Sequence, residues 1–174
     1  HTREGLGHAI WLTSKVIGPD EGLFIALGDT IFDVDLAPVL ASEHSTLGVK
    51  KVEDPRLFGV AEIDDDGYIT RVVEKPDIPK SNMALVGLYL IRESGALFEA
   101  LDARISKGDD AGRGEYHLTD GIMNLIDQGV RFTPFKVMNW YDCGKPEILL
   151  ETNAMLLAQD GFASDHVAGL ENSI

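Results

Sequence analysis

The run LFIALGDTIFDVDL, Leu23 to Leu36, decides how the rest of the chain is read. Five apolar residues stop at Gly28-Asp29, and further aspartates follow at Asp33 and Asp35. A short apolar run bounded by turn residues suits a strand covered on both faces. In open α/β sheets ligands gather at the carboxyl ends of strands, and Asp29 stands at such an end. Gly28 lets the backbone turn there and leaves room for something bulky. Asp35 reads as the N-cap of a helix over DLAPVLASEH, with Pro38 tolerated in its first turn. Asp33 falls in the connecting turn. Asp29 is therefore the carboxylate to weigh for chemistry, as a metal ligand or as a turn residue.

Outward from this run, strands and helices interleave. GLGHAIWLTSKVI spaces its apolar residues as a helix that Gly18-Pro19 ends. STLGVKKVE, ALVGLYLIR and RFTPFKV read as strands. FGVAEI-DDDG-YITRVVE reads as a hairpin of two alternating strands around an Asp-Gly turn. SGALFEALDARI reads as a helix capped by Ser94, HLTDGIMNLIDQG as one closed by Gly129, and KPEILLETNAMLLA as a final amphipathic helix. SKGDDAGRGE, without apolar residues, reads as a mobile loop. The pattern predicts an α/β fold, a sheet of mixed direction layered with helices, with a hairpin inserted midway.

Composition narrows the function. The formal net charge is -14, which repels a polyanionic backbone and argues against nucleic acid as a partner. A small phosphorylated ligand is still compatible, because one metal ion and one or two lysines can hold it. No apolar run approaches the ~20 residues of a membrane helix, and HTREGLGHAI is no signal peptide. The single cysteine, Cys143, fits a reducing compartment, so a cytoplasmic protein is expected.

Two more stretches carry candidate chemistry. In NWYDCGKPE, Asp142 stands at a strand-to-helix junction, as a second metal ligand or a helix cap. Mg²⁺ usually takes one or two carboxylates and fills its other positions with phosphate oxygens and water, which two aspartates from distant strand ends would suit. In VVEKP, a strand ends in Glu74-Lys75 before Pro76. A lysine there can neutralise a phosphate, and the glutamate can accept hydrogen bonds from sugar hydroxyls.

In order along the chain, GLGHA (Gly5 to Ala9), LGD (Leu27 to Asp29), FGV (Phe58 to Val60), VEKP (Val73 to Pro76), VGLY (Val86 to Tyr89), GEYHLTD (Gly114 to Asp120) and WYDCGKPE (Trp140 to Glu147) resemble the sugar-1-phosphate nucleotidyltransferase family. Its members include glucose-1-phosphate thymidylyltransferases and UTP–glucose-1-phosphate uridylyltransferases. The resemblance implies a Rossmann-like three-layer α/β/α sandwich with a mixed sheet. It implies nucleotidyl transfer from a nucleoside triphosphate to a sugar 1-phosphate, glucose 1-phosphate being the family's most frequent acceptor, with release of pyrophosphate. It implies that Asp29 and Asp142 hold Mg²⁺, that Gly59 lets the backbone approach the sugar, that Glu74 bonds its hydroxyls and that Lys75 grips its phosphate. Leu85 and Tyr89 would line the sugar side, and the main chain of Gly5 and Leu6 would lie near the nucleobase.

One departure matters. The family opens with a G-x-G-T-R-L loop that cradles the triphosphate, and no such stretch occurs here. Residues 1–158 are therefore expected to be the later part of a catalytic domain, incomplete at the N-terminus and inactive alone. Residues 159–174 are expected to be a tail whose ENSI resembles the first rung of a left-handed β-helix, so that the gene product would extend beyond both ends. Two rivals remain: a metal-dependent glycosyltransferase using Asp33-Val34-Asp35, and a non-catalytic relative of the same fold. The nucleotide, the sugar and the oligomeric state, a homo-oligomer included, stay open.

Overall fold

The computed structural model describes residues 4–108, 115–144 and 146–158. Its centre is β6 (Met83–Ile91), the apolar run MALVGLYLI. Alternate residues go to opposite faces, as the period of a strand requires. Leu85, Tyr89 and Ile91 enter one core, and Val86 and Leu88 enter another. The first core lies under α1 (Leu6–Leu12), α3 (Ser94–Lys107) and α4 (Leu118–Asp127), which supply Leu97, Leu101, Ile122 and Leu125. The second is smaller and takes in Phe32, Phe135, Val137 and Trp140. Burying each of the large side chains contributes about 1.5–3 kcal/mol.

The six-stranded sheet runs β1 (Leu23–Ala26), β6, β3 (Ser45–Lys51), β7 (Phe132–Lys136), β5 (Ile69–Glu74), β4 (Gly59–Ile63). Only β3 and β7 are parallel, so the sheet is mixed, as the interleaved pattern predicted. β4 also pairs with β6 through Val60↔Ala84 and Ala61↔Met83. β1 pairs with the other half of β6, from Leu23↔Ile91 to Ala26↔Leu88. Two strands thus share one edge of β6 and leave Leu85, Val86 and Gly87 between them.

The hairpin, the strands β3, β6 and β7, and the helices α3 and α4 lie where the sequence put them. Gly67 (φ 86°) turns the hairpin, and Gly129 (φ 91°) closes α4. Four readings need correction. β1 is not covered on both faces: as the edge strand it alternates, with Leu23 and Ile25 buried and Phe24 exposed. Ser94 does not cap α3, because its hydroxyl is buried and donates to the Glu21 carbonyl. α2 is a single turn, Ala37–Leu40, with Leu36 at the cap position, although Asp35 Oδ1 does accept from Ala37 N–H at 2.9 Å. Asp33 is not in a turn. It ends β2 (Thr30–Asp33), which pairs antiparallel with β8 (Asn139–Asp142) in a separate two-stranded sheet. α5 (Pro146–Ala158) follows. The loop expected at 106–115 falls mostly, and the tail at 159–174 wholly, outside the described residues.

No helix among the described residues is long and apolar enough to cross a membrane. Gly48 shows how tightly the layers meet: a Cβ there would stand 2.9 Å from Val86 Cγ2, 3.0 Å from Phe135 Cζ and 3.1 Å from Leu88 Cβ. Gly48→Ala should cost about 1–3 kcal/mol, the range for overpacking. Urea denaturation would show it as a lower midpoint at unchanged slope; an unchanged midpoint would mean that the small core is loose.

Candidate active site

The gap in the edge of β6 opens into a pocket of about 190 Å³. A space of that size admits a ligand on the scale of a sugar ring. Leu6, Asp29, Gly59, Glu74, Leu85, Tyr89 and Asp142 line it together. Their positions follow from the pairing. Gly59 lies opposite Glu74 in the hairpin, and Thr30 opposite Asp142 in the small sheet.

Asp29 and Asp142, far apart in sequence, are brought together by that second register. Cys143 N–H donates to the Asp29 carbonyl at 2.8 Å and Gly144 N–H to Asp142 Oδ1 at 3.2 Å. A methyl added at Gly144 would sit 3.1 Å from Asp142 Oδ1 and 3.9 Å from Asp29 Oδ2, so both carboxylates face the same bare backbone. Among the described residues no group of three or more His, Cys, Asp or Glu could hold a metal. A pair with open positions fits the carboxylate demand of Mg²⁺, which leaves the rest to water and phosphate.

On the opposite wall, Thr119 Oγ1 donates to Glu74 Oε2 at 3.2 Å. A Cβ at Gly59 would stand 2.9 Å from Leu85 Cδ1 and 3.3 Å from Glu74 Oε2, so the Leu85 side chain would have to shift to admit one. Burial pushes the Tyr89 hydroxyl well above the usual tyrosine range, and the Glu74 charge adds to this. At neutral pH the pocket therefore presents a neutral phenol beside three carboxyl side chains, and among the described residues no Lys, Arg or His lines it.

Lys75 and Gly5 lie elsewhere. Lys75 lines a neighbouring hollow that shares Glu74 and includes Arg71, Arg104, His117 and Asp120. Its φ is 39°, the only positive value described outside glycine. Gly5 packs against the chain, a Cβ there meeting the Tyr116 carbonyl oxygen at 2.6 Å. Asp33 and Asp35 do not line the pocket: Asn139 Nδ2 donates to Asp33 Oδ2 at 3.0 Å, and Asp35 Oδ1 accepts from the Ala37 N–H at the start of α2.

Sequence reasoning missed Thr119, Thr30, Phe58 and Trp140. Thr119 lay in the quoted GEYHLTD without a role, although a threonine at a helix start beside an acid was there to read. Trp140 packs edge-on against Phe58 with centroids 4.9 Å apart. Its indole nitrogen is buried without a hydrogen-bond partner among the described residues.

This fold agrees with known proteins. The model of the nucleotidyl transferase family matches residues 1–159, and the chain belongs to that family. It is 36% identical over 159 residues to the low-salt glycan biosynthesis nucleotidyltransferase Agl11 of Haloferax volcanii, which covers 88% of this chain and 43% of the relative. It is 36% identical over 161 residues to a glucose-1-phosphate thymidylyltransferase of Streptomyces griseus, again covering 88% and 43%. The chain thus spans less than half the length of these relatives. Among solved structures, UDP-glucose pyrophosphorylase complexed with UDP-glucose superposes with a TM-score of 0.72 at 27% identity, covering 91% of this chain and 64% of that one.

The state of Tyr89 can be measured. Unfolded, it loses its proton near pH 10, and folded only at higher pH. The stability that depends on this is complete below about pH 10 and falls as pH rises above it. Urea midpoints between about pH 9 and 12 should fall more steeply for the wild type than for Tyr89→Phe. Parallel curves would show that water reaches the hydroxyl.

Proposed function

We propose that this chain forms the sugar-and-metal side of a nucleotidyl-transfer site, in an enzyme that joins a nucleoside triphosphate to a sugar 1-phosphate and releases pyrophosphate. Glucose 1-phosphate is the acceptor to test first. The observation that carries this reading is the pocket's chemistry: three carboxyl side chains and a neutral phenol around a space of sugar size, without a lining cation among the described residues. Carboxylates only accept hydrogen bonds, so the fitting occupant offers many donors or a metal charge. A polyol and a divalent cation together meet both needs.

The roles follow from position. Glu74, steadied by Thr119, accepts from the sugar hydroxyls, and Tyr89 can donate to an oxygen beside it. Gly59 and Leu85 form the face against which the ring lies, and Leu6 closes the pocket beside Leu27. Gly5 acts one step back, by seating α1 against Tyr116. Asp29 and Asp142 would hold Mg²⁺, whose chemistry is to neutralise the phosphates that meet in the reaction. Lys75 would turn its long side chain from the neighbouring hollow to pair with the sugar phosphate. An acceptor oxygen so held is oriented for in-line attack on the α-phosphorus, with pyrophosphate leaving opposite. Positioning and charge neutralisation supply most of the catalysis in such a reaction.

Calorimetric titration of the chain with glucose 1-phosphate and with UDP-glucose, with and without Mg²⁺, tests the binding half of this reading. Binding should need Mg²⁺, and Glu74→Ala should weaken it about ten- to a hundredfold, the value of charge-assisted hydrogen bonds. Equal binding by wild type and Glu74→Ala would place the sugar elsewhere. For the chemical half, the natural gene product that carries this chain should release pyrophosphate from a nucleoside triphosphate only when a sugar 1-phosphate is present. Release of nucleoside diphosphate instead would point to glycosyl transfer.

A further inference from the structure

Leu149, Leu150 and Leu157 of α5 are exposed, while the one buried side chain among its described residues is Thr152. Burying a hydroxyl where a methyl would serve costs about 1–3 kcal/mol unless the hydroxyl is bonded. The partner of Thr152 therefore matters more than its burial. The single Cys143 S–H is shared between two acceptors, Thr152 Oγ1 at 3.8 Å and the Tyr141 carbonyl at 3.7 Å. Cys143 also reaches the other carboxylate turn, since its N–H donates to the Asp29 carbonyl at 2.8 Å. It stands between Asp142 and Gly144, whose N–H donates to Asp142 Oδ1. One residue thus joins both carboxylate-bearing turns to α5.

We propose that Thr152 is a positioning residue for the carboxylate pair, fixing the turn from Asp142 to Gly144 through the Cys143 thiol without itself reaching the ligand. The inference rests on the reading of Asp29 and Asp142 as the cation's ligands. On one side this turn is fixed by the register of β8 with β2, where Asp142 lies opposite Thr30. On the other side it runs into α5, which makes its main contact with β8. The thiol–hydroxyl contact is the polar tie on that side. Without it, Asp142 keeps its strand position while the backbone after it gains freedom. Partners one shell away from a metal ligand act in this way, by holding its orientation.

Mn²⁺ binding to the chain, followed by the loss of the free-ion electron paramagnetic resonance signal, gives a readout independent of turnover. Thr152→Val should weaken Mn²⁺ binding about twofold to fivefold, the value of one weak S–H···O contact. Thr152→Ser, which keeps the oxygen, should bind as the wild type does. Asp29→Asn and Asp142→Asn serve as controls and should each weaken binding further. If both controls bind like the wild type, the carboxylate pair is not the cation site, and the role of Thr152 falls with it. If the controls lose affinity and Thr152→Val does not, the positioning role alone is overturned. Should Thr152→Val fail to fold, Cys143→Ala removes the same contact from the other side. It should show the same loss, and undiminished binding by that variant would overturn the proposal.

Discussion

The pocket exists because two strands compete for one edge of β6. β3 follows the opposite edge of that strand, with a register shift at Gly48, while β1 takes residues 88 to 91 and β4 takes residues 83 and 84. Between them Gly87 (φ 83°) directs its carbonyl to the Leu27 N–H at 3.0 Å, and a Cβ there would collide with Leu27. The space left over is floored by Leu85 and Val86 and walled by strand ends. A site floored by β6, which is buried on both faces, is held by the core itself, since shifting that floor would shift every side chain packed behind it.

Into this space a chain of net charge -14 places three carboxyl side chains. Each has a protein donor: Thr30 for Asp29, Thr119 for Glu74 and the Gly144 N–H for Asp142. These are neutral donors that orient the carboxylates without cancelling their charge. Among the described residues, cations line the adjoining hollow, where Arg104 is engaged with Asp120 at 3.1 Å. The pocket thus keeps its negative field and favours a cation together with a hydroxyl-rich ligand.

Elements with strong periodicity were legible in the sequence: the apolar run of β6, the alternating hairpin, and α4 with its closing Gly129. The small sheet was not. β2 and β8 are four residues each, show little alternation of burial, and find each other across more than a hundred residues of chain. For the same reason Asp29 and Asp142 could be named singly from their strand-end positions, while their meeting depended on a pairing that local patterns do not carry. β1 misled because a wholly apolar run cannot reveal that it lies at an edge. Ser94 misled because a serine at a helix start reads as a cap whether or not another segment needs its hydroxyl. The glycines at 59 and 144 carry their reasons in contacts with Leu85, Glu74 and the two aspartates, which no spacing rule contains.

Lys75 shows the same physics at the far wall. It precedes Pro76, and residues before proline favour extended backbone, yet its φ is 39°. Such a conformation costs a non-glycine residue about 1–3 kcal/mol. It is held by the Lys75 N–H, which donates to the Phe58 carbonyl at 3.1 Å, just beyond the pairing of Gly59 with Glu74. The turn carries the lysine into the neighbouring hollow and leaves Glu74 bonded to Thr119 at the pocket wall. The strain thus falls at the step from the pocket wall, where Glu74 stays bonded to Thr119, to the adjoining hollow that Lys75 lines.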